Sequence, residues 1–294
     1  MKKIAMIVFL LTLLATSAFA KVNVAATLPF IGSLAKEIGG DRIEVTSLIK
    51  PNQDPHYVEA KPSMILAARK ADILMYNGLD LEIGYLPVII ESSKNPNIQP
   101  GKPGNLDCSR YVTSIEKLSS ADRSMGDVHP LGNPHYLNSP RNIARVVEGM
   151  AEALSALDPS NEAFYKERLA AFKDRFKKKE AEWSGIRLKG KKFIAYHSDL
   201  GYLASDSGLQ IIGYIEPKPG IPPSAAHLEK LVELIKREKP DGIIISTSTQ
   251  GRQAVDFLSQ KTGVKGITVP GDVGSTEQAS DWFSFMDQIL TSLK

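Results

Sequence analysis

The residues best equipped for chemistry are few. Of five histidines, His56, His135 and His197 each stand in a non-helical stretch that follows or joins a regular element. His56 closes Pro51-Asn52-Gln53-Asp54-Pro55-His56, just past an apolar run ending at Ile49, and His135 closes Gly132-Asn133-Pro134-His135 just before a helix start at Ser139. His197 directly follows the run Phe193 to Tyr196. Asp272, in Pro270-Gly271-Asp272-Val273-Gly274, again follows a strand-like run and is flanked by glycines that let the backbone turn sharply. In open α/β sheets ligands bind beyond the carboxyl ends of the strands, so these loops are where binding groups belong. Prolines beside the histidines stiffen their loops and lower the entropy lost on binding. Three imidazoles and one carboxylate make a four-ligand set typical of zinc and acceptable to manganese, iron or nickel, whereas calcium or magnesium would want mostly oxygen. Spacing alone leaves a second reading open, in which the histidines are dispersed surface or capping residues.

The remaining candidates are weaker. His129 in Asp127-Val128-His129-Pro130 is either a loop histidine or a residue of the cleft rim that helps hand over metal. His227 reads as a helix-surface residue and Cys108 as a small buried hydrophobe. Glu59, Glu216 and Asp199 can orient ligand histidines, though any chain this charged offers such carboxylates.

The elements that must position these groups alternate. Val22 to Ala26, Ile43 to Ile49 and Asp72 to Asn77 read as strands, with helices over Phe30 to Ile38, Ser63 to Lys70 and Leu81 to Ser93. After position 190 the style repeats, with strands Phe193 to Tyr196, Leu209 to Tyr214, Gly242 to Ser246 and Gly266 to Val269. Helices near Asp199 to Ser207, Ser224 to Glu238, Gln250 to Lys261 and Thr276 to Leu293 accompany them. Strands alternating with helices imply parallel sheets, so the expected fold class is α/β in two lobes. Between the lobes, Ser139 caps a helix with Pro140 at its first position, and Asp158 and Pro159 stop it. A second helix, from about Asn161 to Trp183, carries a narrow apolar stripe amid Lys, Arg and Glu and suits a strut between lobes. The loop from Asn95 to Gly104 is expected to be irregular surface. The expected division is a signal at 1–20, a first lobe at 21–158, a linking helix at 159–185 and a second lobe at 186–294.

Met1-Lys2-Lys3, the apolar run Ile4 to Leu14 and the ending Ala18-Phe19-Ala20 form a basic, apolar and cleavable leader, too short to span a bilayer. Cys108 lies far from that cleavage site and offers no terminal thiol for acylation, so a soluble periplasmic product is expected. As the only cysteine it excludes an intramolecular disulfide, and the fold must rest on its core. The formal charge of +3 includes Lys2 and Lys3, so the exported chain is nearly neutral and no nucleic-acid partner is implied.

The phrases Asp54-Pro55-His56, Asn133-Pro134-His135, Tyr196-His197 and Gly271-Asp272-Val273-Gly274, in this order behind a leader, resemble the metal-binding receptors of zinc and manganese ABC importers (cluster A-I). The similarity runs over essentially the whole exported chain and takes in Glu216-Pro217-Lys218-Pro219-Gly220 and Pro223-Ser224. It implies two α/β lobes bridged by one long helix, with His56 and His135 from the first lobe and His197 and Asp272 from the second holding a metal between them. It also implies a monomeric receptor that delivers metal to an inner-membrane permease. The chain departs from the family pattern after both early histidines, with Tyr57-Val58-Glu59-Ala60-Lys61-Pro62-Ser63 and with Leu137-Asn138-Ser139-Pro140, but no proposed ligand is touched. A histidine at the third position resembles the zinc-type members, whereas the long His- and Asp-rich loop of many zinc receptors is absent, so manganese stays open. A zinc hydrolase is the rival from another class, since such a ligand set can activate water. No H-E-x-x-H segment or Ser, His and Asp nucleophile set supports it. An adhesin is a third reading, poorly served by a chain without a lipid anchor.

Overall fold

The computed structural model describes residues 21–120, 125–126 and 128–294; the expected leader at 1–20 lies outside these. The chain builds two four-stranded sheets, parallel throughout. In the first, β1 (Val22–Ala26), β2 (Ile43–Ser47), β3 (Ile73–Tyr76) and β4 (Asn105–Asp107) lie in the order β2-β1-β3-β4. In the second, β5 (Lys192–Ala195), β6 (Gln210–Tyr214), β7 (Gly242–Ser246) and β8 (Gly266–Val269) repeat it as β6-β5-β7-β8. Central strands covered by helices on both faces read as continuous apolar runs, and every residue of β7 is buried. Because the chain leaves β1 and β5 toward opposite neighbours, each sheet has a switch point where its carboxyl-end loops part.

Helices α1 (Pro29–Gly39), α2 (Pro62–Lys70) and α3 (Leu86–Ser93) serve the first sheet, and α6 (Gly201–Ser207), α7 (Ala225–Glu238), α8 (Arg252–Thr262) and α9 (Trp282–Ser292) follow β5. Between the sheets run α4 (Pro140–Leu157) and α5 (Glu162–Ser184). Ser139 caps α4 as expected, its hydroxyl accepting from the Asn142 amide, and the apolar stripe of α4 is buried from Ile143 to Leu154. The 23-residue α5 buries only Tyr165, Phe172 and Trp183.

One apolar cluster runs from the first sheet through α4, α5 and α9 to Phe193, Ile244 and Val269 of the second sheet. A smaller cluster fills the opposite face, around Ile194, Ile243 and Leu258. The seam is rich in aromatics: Trp282 stacks on Phe176 and meets Trp183 edge-on, and Phe172 packs against Phe283. Trp282 Nε1 donates to Leu137 O across the seam (2.9 Å), and Arg175 of α5 pairs with Asp281 at the cap of α9 (2.6 Å) while lying over Phe283. The two sheets are therefore joined by a packed apolar layer, which resists relative motion more than a polar hinge would.

Candidate metal centre

The carboxyl-end loops of both sheets meet. The chain leaves β2 and forms a single 3-10 turn, Pro55–Tyr57, capped by Asp54. Asp54 Oδ1 accepts from the His56 amide (3.0 Å) and faces His56 Nδ1 (2.8 Å), so one side chain both ends the loop and aims the ring. His135 arrives on the long connection after β4, where Asn133 Oδ1 accepts its amide (2.9 Å). His197 lies two residues past β5, and Glu216, two residues past the neighbouring strand β6, meets its Nδ1 at 2.7 Å. Asp272 follows β8, its Oδ1 accepting from the Val273 amide.

The ligand nitrogens of His56, His135 and His197 all lie within 4.8 Å of one another. Their ring centroids stand 5.0 to 5.4 Å apart, and His135 Nε2 and His197 Nε2 are 3.1 Å apart. A tetrahedral ion with metal–nitrogen bonds of about 2.0–2.1 Å would separate its ligand nitrogens by roughly 3.3 Å. Among the described residues His56 Nε2 is buried with no hydrogen-bond partner, a deficiency that needs a cause, and an ion in the trio supplies one. The cavity beside the trio measures about 70 Å³ and is lined also by Asp54, Asp199, Glu216 and Asp272. A liquid water takes about 30 Å³, so the space suits an ion with a few waters.

The carboxylates decide which nitrogen carries a proton. Facing an ionised carboxylate, Nδ1 of His56 and of His197 must donate, which leaves each Nε2 as a lone pair turned to the centre. Burial opposes charge on His197, but the Glu216 carboxylate outweighs it and holds the imidazole above its ordinary value. Burial and three neighbouring imidazoles push His135 well below it. Burial raises Asp54, yet its bonds to His56 prevail and keep it low. Asp272 is buried and pushed up to about 8, partly offset by the amides of Val273 and Phe30, and Asp199 is pushed up to about 6.

The three expected histidines thus converge, while Asp272 lines the same cavity without joining the group of ligand atoms within 4.8 Å. Its carboxylate bonds the Phe30 amide in the first turn of α1, a helix end that lacks a side-chain cap of its own. His129 packs its ring 5.3 Å from His56. Of the three suggested orienting carboxylates, Glu216 takes that role, Asp199 lines the cavity, and Glu59 is exposed on the loop. His227 is more than a surface residue, since its Nε2 reaches Tyr214 O (3.0 Å). Cys108 is wholly buried. Asp54 was not anticipated as an orienting group; an Asp two residues before a histidine, with Pro between, is an Asx-turn signal that could have found it.

Paired parallel sheets with ligand groups at their facing loop ends define a two-lobed binding protein. Residues 24–294 match the family described as ZnuA, zinc-uptake complex component A, periplasmic, and the chain belongs to that family. It is 25% identical over 280 residues to the zinc-binding lipoprotein AdcA of Streptococcus pneumoniae (strain ATCC BAA-255 / R6), covering 93% of this chain but 55% of that protein. The chain therefore spans about half the length of that relative. It is 26% identical over 254 residues to the manganese ABC transporter substrate-binding lipoprotein PsaA of Streptococcus mitis, covering 83% and 78%. A crystal structure of ZnuA superposes with a TM-score of 0.76 at 25% identity, over 92% of this chain and 97% of that one.

Proposed function

We propose that this chain is a periplasmic receptor that captures a divalent transition metal, zinc before manganese, and presents it to an inner-membrane ABC importer as a monomer. The observation that carries it is the imidazole trio: three ligand nitrogens within 4.8 Å, two of them locked into the right tautomer by carboxylates. The ligand set we assign is His56, His135, His197 and Asp272, with residues 21–158 and 186–294 as lobes and 159–185 as the link. Asp272 suits the fourth place because a buried carboxylate with a raised pKa gains most when a cation enters beside it. Three nitrogens to one oxygen favour zinc, since manganese prefers more carboxylate. The manganese-binding relative supports the second reading.

The residues achieve capture by presenting lone pairs without prior rearrangement. His135 Nε2 and His197 Nε2, 3.1 Å apart, must both be free of protons to hold an ion, so affinity must fall in acid. Competitive titration of protein stripped of metal, with zinc and with manganese, tests the proposal. One-to-one nanomolar binding, about −12 kcal/mol, is expected, together with restored metal uptake in a strain lacking its own receptor. Absence of stoichiometric binding to either ion overturns it, as would zinc-dependent esterase or peptidase turnover.

A further inference from the structure

Glu82 lies outside the ligand set, and its carboxyl is among the most buried in the molecule, at 2% exposure. The chain leaves β3 as Asn77-Gly78-Leu79-Asp80-Leu81-Glu82, and Gly78, Leu79 and Asp80 all have positive φ (79°, 54° and 62°). Leucine and aspartate rarely adopt that conformation, so something must hold the turn. Glu82 does so: Oε1 accepts from Thr27 Oγ1 (2.6 Å) and the Asn77 amide (2.7 Å), and Oε2 accepts from the Gly78 amide (3.1 Å). Thr27 directly follows β1 and Asn77 directly follows β3, so the carboxylate plugs the switch point of the first sheet. Among the described residues no ion pair engages it, and burial pushes it up to about 7.

The turn so fixed aims Asn77 at the metal centre. Asn77 Nδ2 donates to Pro134 O (3.1 Å), and Asn77 O accepts from Tyr136 Oη (2.8 Å), gripping the residues on both sides of His135. From the second lobe, Asn133 Nδ2 donates to Ser198 O (2.8 Å) and Tyr202 Oη to Asn133 O (2.7 Å). His135 thus owes its place to a tether from each side, and the first-lobe tether begins at Glu82.

We infer that Glu82 is a positioning residue for metal capture, acting through Asn77 to set His135 against His197. The inference rests on the receptor reading and adds to it a residue two hydrogen bonds from the neighbours of His135. Zinc dissociation constants and melting temperatures of the full chain, of Glu82→Gln, of Asn77→Ala and of the double variant test it. Each single change is expected to weaken zinc binding about 10 to 100-fold. The double variant should lose no more than the worse single one, because both cut one path. Val255→Ala, in the outer core of the second sheet, serves as a destabilised control that lowers the melting temperature and leaves zinc affinity unchanged. Unchanged affinity in Glu82→Gln, or losses that multiply in the double variant, overturns the inference. Should Glu82→Gln fail to fold, Tyr136→Phe removes the same tether from its far end; weaker binding upholds the inference and unchanged binding overturns it. A parent chain that binds no zinc would sink the receptor reading, whereas a binding parent with indifferent variants sinks only the brace.

Discussion

Replacing Glu216 by Gln keeps an oxygen able to accept from His197 Nδ1 at 2.7 Å but removes the negative charge. Both side chains are 15% exposed, so solvent screens the pair little. Losing a carboxylate that orients a ligand histidine typically costs 10 to 100-fold in metal affinity, about 1.4–2.7 kcal/mol. The cost should depend on pH in a particular sense. In the parent chain Glu216 overcomes burial and raises the His197 pKa, so protons compete with metal for that ring from a higher pH downward. In Glu216→Gln burial acts unopposed by that carboxylate, the pKa falls, and proton competition begins later. The deficit should therefore be largest near pH 8 and should narrow as pH drops toward 5.5. Competitive zinc titrations at several pH values measure it directly. Equal affinities at pH 8, or a deficit that widens in acid, would refute the reasoning.

Other consequences follow from the same geometry. In metal-free protein Asp272 is pushed up to about 8, so above the ordinary carboxylate range the native chain still holds a proton that the unfolded chain has released. Stability must then fall as pH rises from the ordinary carboxylate range toward about 8, most steeply from about pH 5 to 7; Asp272→Asn should flatten the melting-temperature profile there, and a parent profile that rises would contradict this. Trp282→Ala removes a side chain 1% exposed from the seam, and should cost about 3–5 kcal/mol in urea unfolding, with a loss below about 1 kcal/mol refuting its anchoring role. Asn133→Ala leaves the buried His135 amide without its acceptor and cuts the bond to Ser198 O; it should cost about 1–3 kcal/mol of stability and weaken zinc binding, and intact affinity would argue against a preset His135–His197 pair.

Much of the frame was legible in the sequence because local signals and tertiary context agree. Val22–Ala26, Gly242–Ser246 and Gly266–Val269 fall where the apolar runs place them, and the Ser139-Pro140 start of α4 follows from capping chemistry. The failures share a cause in long-range contacts. The helix expected from Leu81 begins only at Leu86, because Glu82 is engaged with Thr27, 55 positions away, and the turn before it is left-handed. The helix expected from Thr276 begins at Trp282, after Asp281 and Ser284 form a capping box. The three-residue β4, with Leu106 as its only large apolar side chain, carries no periodic signal and exists because β3 pairs with it.

The candidate site was legible in the three histidines that the fold brings together and not in their support. Glu216 was one suspect among several carboxylates, and what singles it out is that β5 and β6 are parallel neighbours ending at the same edge, which sequence spacing does not state. Asn77 gave no signal, since a buried amide shows its purpose only when its partners are in place, and Asn133 signalled its turn before His135 but not its bond to Ser198 O. The packed seam between the sheets also bears on how the histidines are held. His135 and His197 are held together across it by Asn133, Asn138 and Tyr202, whereas His56 is fixed chiefly by Asp54 within its own loop.

The most direct test of the central claim is X-ray absorption at the zinc edge on the one-to-one complex. Three imidazole nitrogens at about 2.0–2.1 Å and one oxygen are expected, with one imidazole lost in each of His56→Ala, His135→Ala and His197→Ala. A spectrum holding one imidazole or none, unchanged by those substitutions, would contradict it.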